Sequence, residues 1–467
     1  MAALPQAAAA QIGERSQLEA KLDSAAAAHV SDAAVTGASV AVVQGGDTLL
    51  HEGYGRADLE LGASTPRGAV YEIGSVTKQF TAAAVLQLAA RDSLDLGAPI
   101  TEYLPGFDTG GYTVTVRNLL HHTSGIPNFS SFPRLQDLRH KDLPRDTALT
   151  VMGQKMLRFA PGTAMSYSNT GYFLLGLIIE ETSGEPYAEY VDEHLFRPAG
   201  MEDSYYCDEQ AVVDNKAHGY AWRGEKGFEH KEYLDHTWPY AAGSLCSTAG
   251  DLAAWTRALH GGEILADSMY RELVTPGRLA DGTRLRYGMG LIVDETSGRR
   301  LLRHGGQISG YLSEARYYPE EDLTVIVLQN STGPQGPMAL ADGLVRSALG
   351  PAQEPDSRPY EGDLSKFVGR YTGPARGGVL TVQIRAEDGR LVASRVGSGG
   401  EPTPLEHVTG RTWRLGSLRY RFVQVGETII ELRMDAQGAH YVLRKIGATK
   451  TGAAKNRGEA PPAEGRP

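Results

Sequence analysis

Residues 38–44, ASVAVVQ, and 48–55, TLLHEGYG, are two apolar, β-branched runs around Gly45-Gly46-Asp47 and predict a hairpin near the start of the chain. From 75 to 91, SVTKQFTAAAVLQLAAR is apolar nearly all round and built from strong helix formers, which predicts a buried helix. Between about 95 and 275 the pattern is mainly helical, with loops rich in proline, glycine and aromatics; Gly184 ends one helix and Pro186 opens the next. Strands then return at 287–294, 300–306, 312–319 and 322–330, short and close in sequence as in an antiparallel meander, and a helix follows from Pro337 to Leu349.

Terminal strands and a terminal helix enclosing a helical insert predict an α/β domain over residues 15–350, an antiparallel sheet flanked by helices with the active site between sheet and insert. Residues 351–363 hold three prolines without periodicity and read as a linker. Short alternating runs at hairpin spacing over 364–447 predict a small β-barrel or sandwich, and the polar stretch 448–467 reads as a disordered tail. No internal repeat is present.

The chain has 467 residues, 41% of them hydrophobic, enough for a large core. Its formal charge of −10 is scattered rather than blocked, which excludes the basic footprint of a nucleic-acid binder. Cys207 and Cys246 lack metal-ligand spacing, and the reading leans toward two unpaired thiols, with a disulfide as the alternative. No apolar stretch of about 20 residues exists, so no span of the membrane is expected. The N-terminal MAALPQAAAA lacks a positive n-region and a long apolar segment, although its small residues resemble the tail of a signal peptide. A periplasmic or secreted location follows if such a peptide has been removed, and a cytoplasmic one otherwise.

The chemistry concentrates in three stretches. EIGSVTKQF (72–80) places Ser75 and Lys78 three apart at a helix start, on one face. A serine hydroxyl needs a base to become a nucleophile, and burial lets a lysine serve by disfavouring its ammonium form. The helix N-terminus stabilises negative charge beside Ser75. SxxK alone is common by chance. MSYSNTGY (165–172) adds Tyr167-Ser168-Asn169, and LRHGGQISGY (302–311) adds His304-Gly305-Gly306 at a strand end.

This trio resembles that of the serine penicillin-recognising enzymes, and the chain resembles the class C β-lactamase and D-Ala-D-Ala carboxypeptidase superfamily. That superfamily includes D-aminopeptidases, family VIII esterases and penicillin-binding-type thioesterases. LLHHTSGIP (119–127), LFRPAGMEDS (195–204) and SLCSTAGDLAAW (244–255) extend the likeness over roughly residues 25–350. The resemblance implies a β-lactamase/transpeptidase-like fold and a serine hydrolase working through an acyl-enzyme on Ser75. Lys78 and Tyr167 would share general base and acid roles, Asn169 would bind the substrate's acyl-side amide and hold Lys78, and His304 would support Tyr167 or a substrate carboxylate. The backbone N–H groups of Ser75 and Gln307 would form the oxyanion hole, and Gly305 and Gly306 would let substrate approach the strand. No cofactor and no metal are implied. The C-terminal domain resembles the lipocalin-like appendages of some relatives and would shape or gate the cleft.

His304 stands where β-lactamases carry lysine. A largely neutral imidazole supplies no fixed positive charge, which favours D-residue peptides, amides or small esters as substrates over β-lactams. Two alternatives remain at this point: a trans-acting thioesterase or cyclase taking peptides from a carrier protein, and a penicillin-binding sensor without turnover. Adjacent His121 and His122 read as a turn rather than a metal site. Phe129, Tyr206, Trp222, Trp238 and Tyr240 read equally as acyl-pocket walls or as core. Oligomeric state is not encoded in any of these patterns.

Overall fold

The computed structural model describes residues 6–447 apart from 33–34, 133–138, 154–155, 297, 352–358, 376–377, 417 and 437–438. Most of the expected linker and all of the expected tail therefore lie outside the described residues. Along the first unit run α1 (Gln6–Asp32), β1 (Gly37–Gln44), β2 (Asp47–Asp58), α2 (Thr77–Ala90), α3 (Asn169–Ser183) and α4 (Ala249–His260). There follow β3 (Ile292–Thr296), β4 (Arg299–Ile308), β5 (Tyr311–Tyr318), β6 (Leu323–Gln329) and α5 (Pro337–Leu349).

The strands form one sheet in the order Ala63–Ser64, β2, β1, β6, β5, β4, β3, with antiparallel pairing throughout. The first and last strands of this unit, β1 and β6, meet at the sheet's centre, where Val40 faces Val327. β6 reads LTVIVLQ without polar alternation because helices cover both faces of the sheet, so every one of its residues is buried. Val40, Val42, Val325 and Val327 pack against α1 and α5 through Leu22, Ala26, Leu340 and Leu344. Ala41, Ile326 and Leu328 face the other way, into the larger core with α2 and α4, where Phe80 stacks on Trp255 with centroids 4.0 Å apart.

Four features depart from the sequence reading. The alanine-rich N-terminus is helical from Gln6, because Leu22 and Ala26 close over the sheet. The insert is less helical than expected: its chain also makes a three-stranded sheet of Tyr71–Glu72, Leu245–Ser247 and Tyr205–Tyr206, and a hairpin of Tyr220–Trp222 with Phe228–His230. The strand expected from 287 begins only at Ile292. Cys207 and Cys246 are joined in a disulfide, against the leaning toward unpaired thiols. Pairing of Tyr205 with Cys246 sets the two Cα atoms 5.2 Å apart, a contact that a sequence separation of 39 does not reveal.

The second unit is a nine-stranded antiparallel sheet between Gly369 and Lys445. Its two edge strands, Thr403–Pro404 and Glu406–Thr409, are separated in sequence only by Leu405, so the sheet curls into a nearly closed barrel. Alternate residues such as Leu380, Val382 and Ile384 fill the interior around Trp413 and Phe422. Tyr360 already packs on Trp413, so this core begins just before residue 364. Among the described residues no helix is long and apolar enough to cross a membrane.

Candidate active site

Ser75 sits in a one-turn 3-10 helix, Gly74–Val76, that runs directly into α2; it therefore precedes the α-helix rather than opening it. Strand pairing of Glu72 with Cys246 and a hydrogen bond from Ile73 N to Leu245 O (3.0 Å) fix the approach. The turn needs glycine at 74: its φ is +52°, and a Cβ there would meet Gln307 N at 3.0 Å. That close passage lays the backbone of Ser75 beside the backbone of Gln307.

Lys78 is 0% exposed, and such a cation is costly unless partnered. Its Nζ donates to Ala242 O (2.7 Å), to Asn169 Oδ1 (3.0 Å) and to Ser75 Oγ (3.2 Å). It also lies over the rings of Tyr167 and Tyr172, 4.9 and 5.5 Å from their centroids. The carbonyl of Ala242 carries no sequence signal, since any residue could supply it.

Asn169 opens α3, and its N–H donates to Asn128 Oδ1 (3.3 Å), which ties the Tyr-Ser-Asn segment to the loop after His122. Tyr167 packs against His122 and Tyr287, with centroids 4.3 and 6.3 Å away. His121 and His122 form a turn as expected, His122 with a φ of 58°.

His304 lies on β4 with its ring centroid 6.1 Å from that of Tyr167. Its Nδ1 is 2.7 Å from Gly305 O and its Nε2 is 3.1 Å from Tyr287 Oη. A carbonyl only accepts, so Nδ1 carries the proton. Burial, with the neighbouring tyrosines, pushes the Tyr287 phenol well above its ordinary range, so it stays protonated and can donate to Nε2. Both contacts fit one neutral tautomer. Tyr287 belongs to no motif and was missed in the sequence.

Gly306 has a reason beyond substrate approach: a Cβ there would collide with Ile73 O and with Ser313 Oγ. The glycine lets β4 close onto the segment that carries Ser75, and Ser313 Oγ donates to the same Ile73 carbonyl at 2.8 Å. Ser75, Lys78, Tyr167, Asn169, His304 and Gln307 are thus brought together from three separate stretches.

Two clefts meet at Ser75 and Gln307. One, of about 650 Å³, includes Asn169, Phe129 and Trp238 in its wall. The other, of about 940 Å³, includes Tyr167 and His304, with Leu418 and Tyr441 contributed by the barrel. Of the five aromatics left open, Phe129 and Trp238 reach the first cleft, whereas Tyr206 and Tyr240 pack with Tyr187 in the interior. Trp222 packs on Phe228. Beneath the floor, Glu72, Glu209 and His236 lie close enough to share a metal, but the ammonium of Lys231 already bridges the two carboxylates.

The profile of the Beta-lactamase family matches residues 22–350. A D-aminopeptidase of Brucella canis is 30% identical over 368 residues, 78% of this chain and 68% of its own. Among solved structures, the D-amino acid amidase of Ochrobactrum anthropi SV3, complexed with L-phenylalanine amide, superposes with a TM-score of 0.63 at 26% identity, covering 71% of this chain and 98% of that one. The octameric penicillin-binding protein homologue of Pyrococcus abyssi gives 0.63 at 26% identity and covers 91% of this chain and 99% of its own, barrel included. A family match over most of the chain and a relative at this identity lead to one conclusion: the chain belongs to the beta-lactamase family and is a hydrolase.

Proposed function

We propose that the protein hydrolyses amides of D-amino acids, including the N-terminal bond of short peptides, and small esters more slowly, through an acyl-enzyme on Ser75. The observation that carries this reading is the placement of Lys78 Nζ 3.2 Å from Ser75 Oγ while Asn169 and Ala242 hold its other side. In the neutral amine, two N–H groups serve Asn169 Oδ1 and Ala242 O, and the lone pair faces the serine hydroxyl. Lys78 then takes the Ser75 proton as Oγ bonds to the substrate carbonyl carbon. The resulting oxyanion accepts hydrogen bonds from the N–H groups of Ser75 and Gln307.

Collapse of the tetrahedral intermediate breaks the C–N bond, and the leaving nitrogen takes a proton from Tyr167, which the Lys78 ammonium replaces. Water enters, gives its proton to the same pair and releases the acid, restoring Ser75. His304 borders the second cleft beside Tyr167. The D-preference draws support from the named relatives, and Phe129 and Trp238 offer apolar faces for the acyl residue's side chain.

The test is turnover of D- and L-phenylalanine amide by the wild type and by Ser75→Ala. Faster turnover of the D-enantiomer, abolished by Ser75→Ala, is the expected outcome. Equal rates for both enantiomers would remove the stereochemical part, and undiminished turnover by Ser75→Ala would remove the mechanism.

A further inference from the structure

We propose that the interior of the C-terminal barrel is a subsite for the leaving portion of the substrate and takes a bulky apolar side chain from a peptide extending past the scissile bond. The inference rests on the reading of Tyr167 as proton donor to the leaving nitrogen.

Ser75 borders both clefts, whereas Asn169 borders only the first and Tyr167 and His304 only the second. A departing amine must lie within reach of its proton donor. The leaving portion therefore occupies the second cleft. That cleft ends against Leu418 and Tyr441, and the same two side chains form the lip of a separate cavity of about 490 Å³ in the barrel. Behind the lip the wall is apolar and buried: Leu380, Val382, Ala393, Tyr420 and Met434. The size falls in the range of small-ligand sites, roughly 300–1,000 Å³. Arg395 and Glu401 stand at the outer rim, where a peptide backbone would remain hydrated.

The mouth is held against the catalytic unit rather than merely near it. Arg158 Nη1 donates to Ala375 O (3.2 Å) and Gly378 O (3.4 Å) on the barrel edge, and Arg433 pairs with Asp281 at 2.5 Å. Val442, next to Tyr441, packs on the cluster that contains Tyr167, Tyr287 and Ile292. A barrel fixed at Tyr167 with its apolar opening on the leaving side is placed to read residues that the catalytic groups never touch. Val379, 73% exposed at the same opening, is an apolar residue with no other evident role.

The experiment compares kcat/KM for D-Phe-Gly-Gly and D-Phe-Gly-Leu-Leu, with D-phenylalanine amide as a substrate too short to reach the barrel. Burial of one leucine side chain predicts a preference of roughly 10- to 100-fold for the leucine peptide. Ala393→Phe, which fills the cavity, and Val379→Asp, an exposed change that puts a charge at its mouth, should bring the ratio of the two peptides close to one. Calorimetric binding of Gly-Leu-Leu, weakened by the same variants, reads the cavity without turnover. No turnover of the amide together with intact binding of Gly-Leu-Leu would sink the hydrolase reading and keep the subsite. Turnover of the amide without a leucine preference, or a preference that survives both variants, would overturn the subsite. Preference for an N-octyl amide of D-phenylalanine, whose alkyl chain is on the leaving side, over the leucine peptide would overturn its assignment to peptides.

Discussion

His122 brackets Tyr167 along the chain: Ser166 N donates to the His122 carbonyl at 2.9 Å, and Ser168 N donates to His122 Nδ1 at 3.2 Å. With its ring against the Tyr167 ring, the histidine holds Tyr167 from three directions. On the proposed mechanism, in which Tyr167 is the proton donor, His122 is a positioning residue.

His122→Ala should lower kcat by roughly 100-fold with KM little changed, the scale of a displacement of about 1 Å at a reacting group. His122→Asn should recover most of the loss, because asparagine tolerates positive φ and offers an acceptor in the place of Nδ1. Steady-state kinetics of the three proteins decide it. An Asn variant as poor as the Ala variant would show that the imidazole itself enters the chemistry.

Tyr287→Phe removes the donor to His304 Nε2 and nothing that reaches the substrate clefts. The expected loss in kcat/KM is about tenfold, on the scale of one buried hydrogen bond. Steady-state kinetics with D-phenylalanine amide check it, and an unchanged kcat/KM would show that the bond to His304 plays no part in the reaction.

The Cys207–Cys246 bond staples the strands leading to Ser75 across a separation of 39 residues. On the chain-entropy account a loop of that length contributes about 4 kcal/mol. Urea unfolding with and without reductant, and of Cys207→Ser, should show most of that difference. Identical midpoints would mean that the bond does not form in the solution protein.

His121 is buried with its Nδ1 3.0 Å from Gly288 O, and burial, reinforced by Arg117, lowers its pKa to about 4. The unfolded chain takes up the proton near 6.5 and the folded one does not. Stability is thus complete above pH 6.5 and falls as pH drops toward 4, by up to about 3 kcal/mol. Urea midpoints at pH 7.5 and 4.5 for wild type and His121→Gln measure this; a wild-type slope equal to that of the variant would contradict it.

The groups proposed as catalytic were legible in the sequence as candidates because each side chain carries chemistry that narrows its neighbours: a lysine three residues after a serine, a Tyr-x-Asn, a histidine before two glycines. The sheet was legible because its strands are short β-branched runs spaced closely in sequence, as an antiparallel meander requires, LTVIVLQ of β6 among them. Tyr287 was hidden because its role depends on an orientation set by His304, 17 residues away, and the Ala242 carbonyl because a backbone oxygen belongs to every residue. The disulfide was hidden by strand pairing between distant segments. The helix at Gln6–Asp32 was hidden because alanines have little amphipathic pattern, and its place is decided by what Leu22 and Ala26 cover.

The most direct measurement is the intact mass of the enzyme quenched during turnover of a D-phenylalanine ester, followed by mapping of the adduct. An aminoacyl group on the peptide containing Ser75, absent from Ser75→Ala and short-lived in the wild type, is what the account predicts. Turnover with no adduct on that peptide, or an adduct that persists in Ser75→Ala, would contradict it.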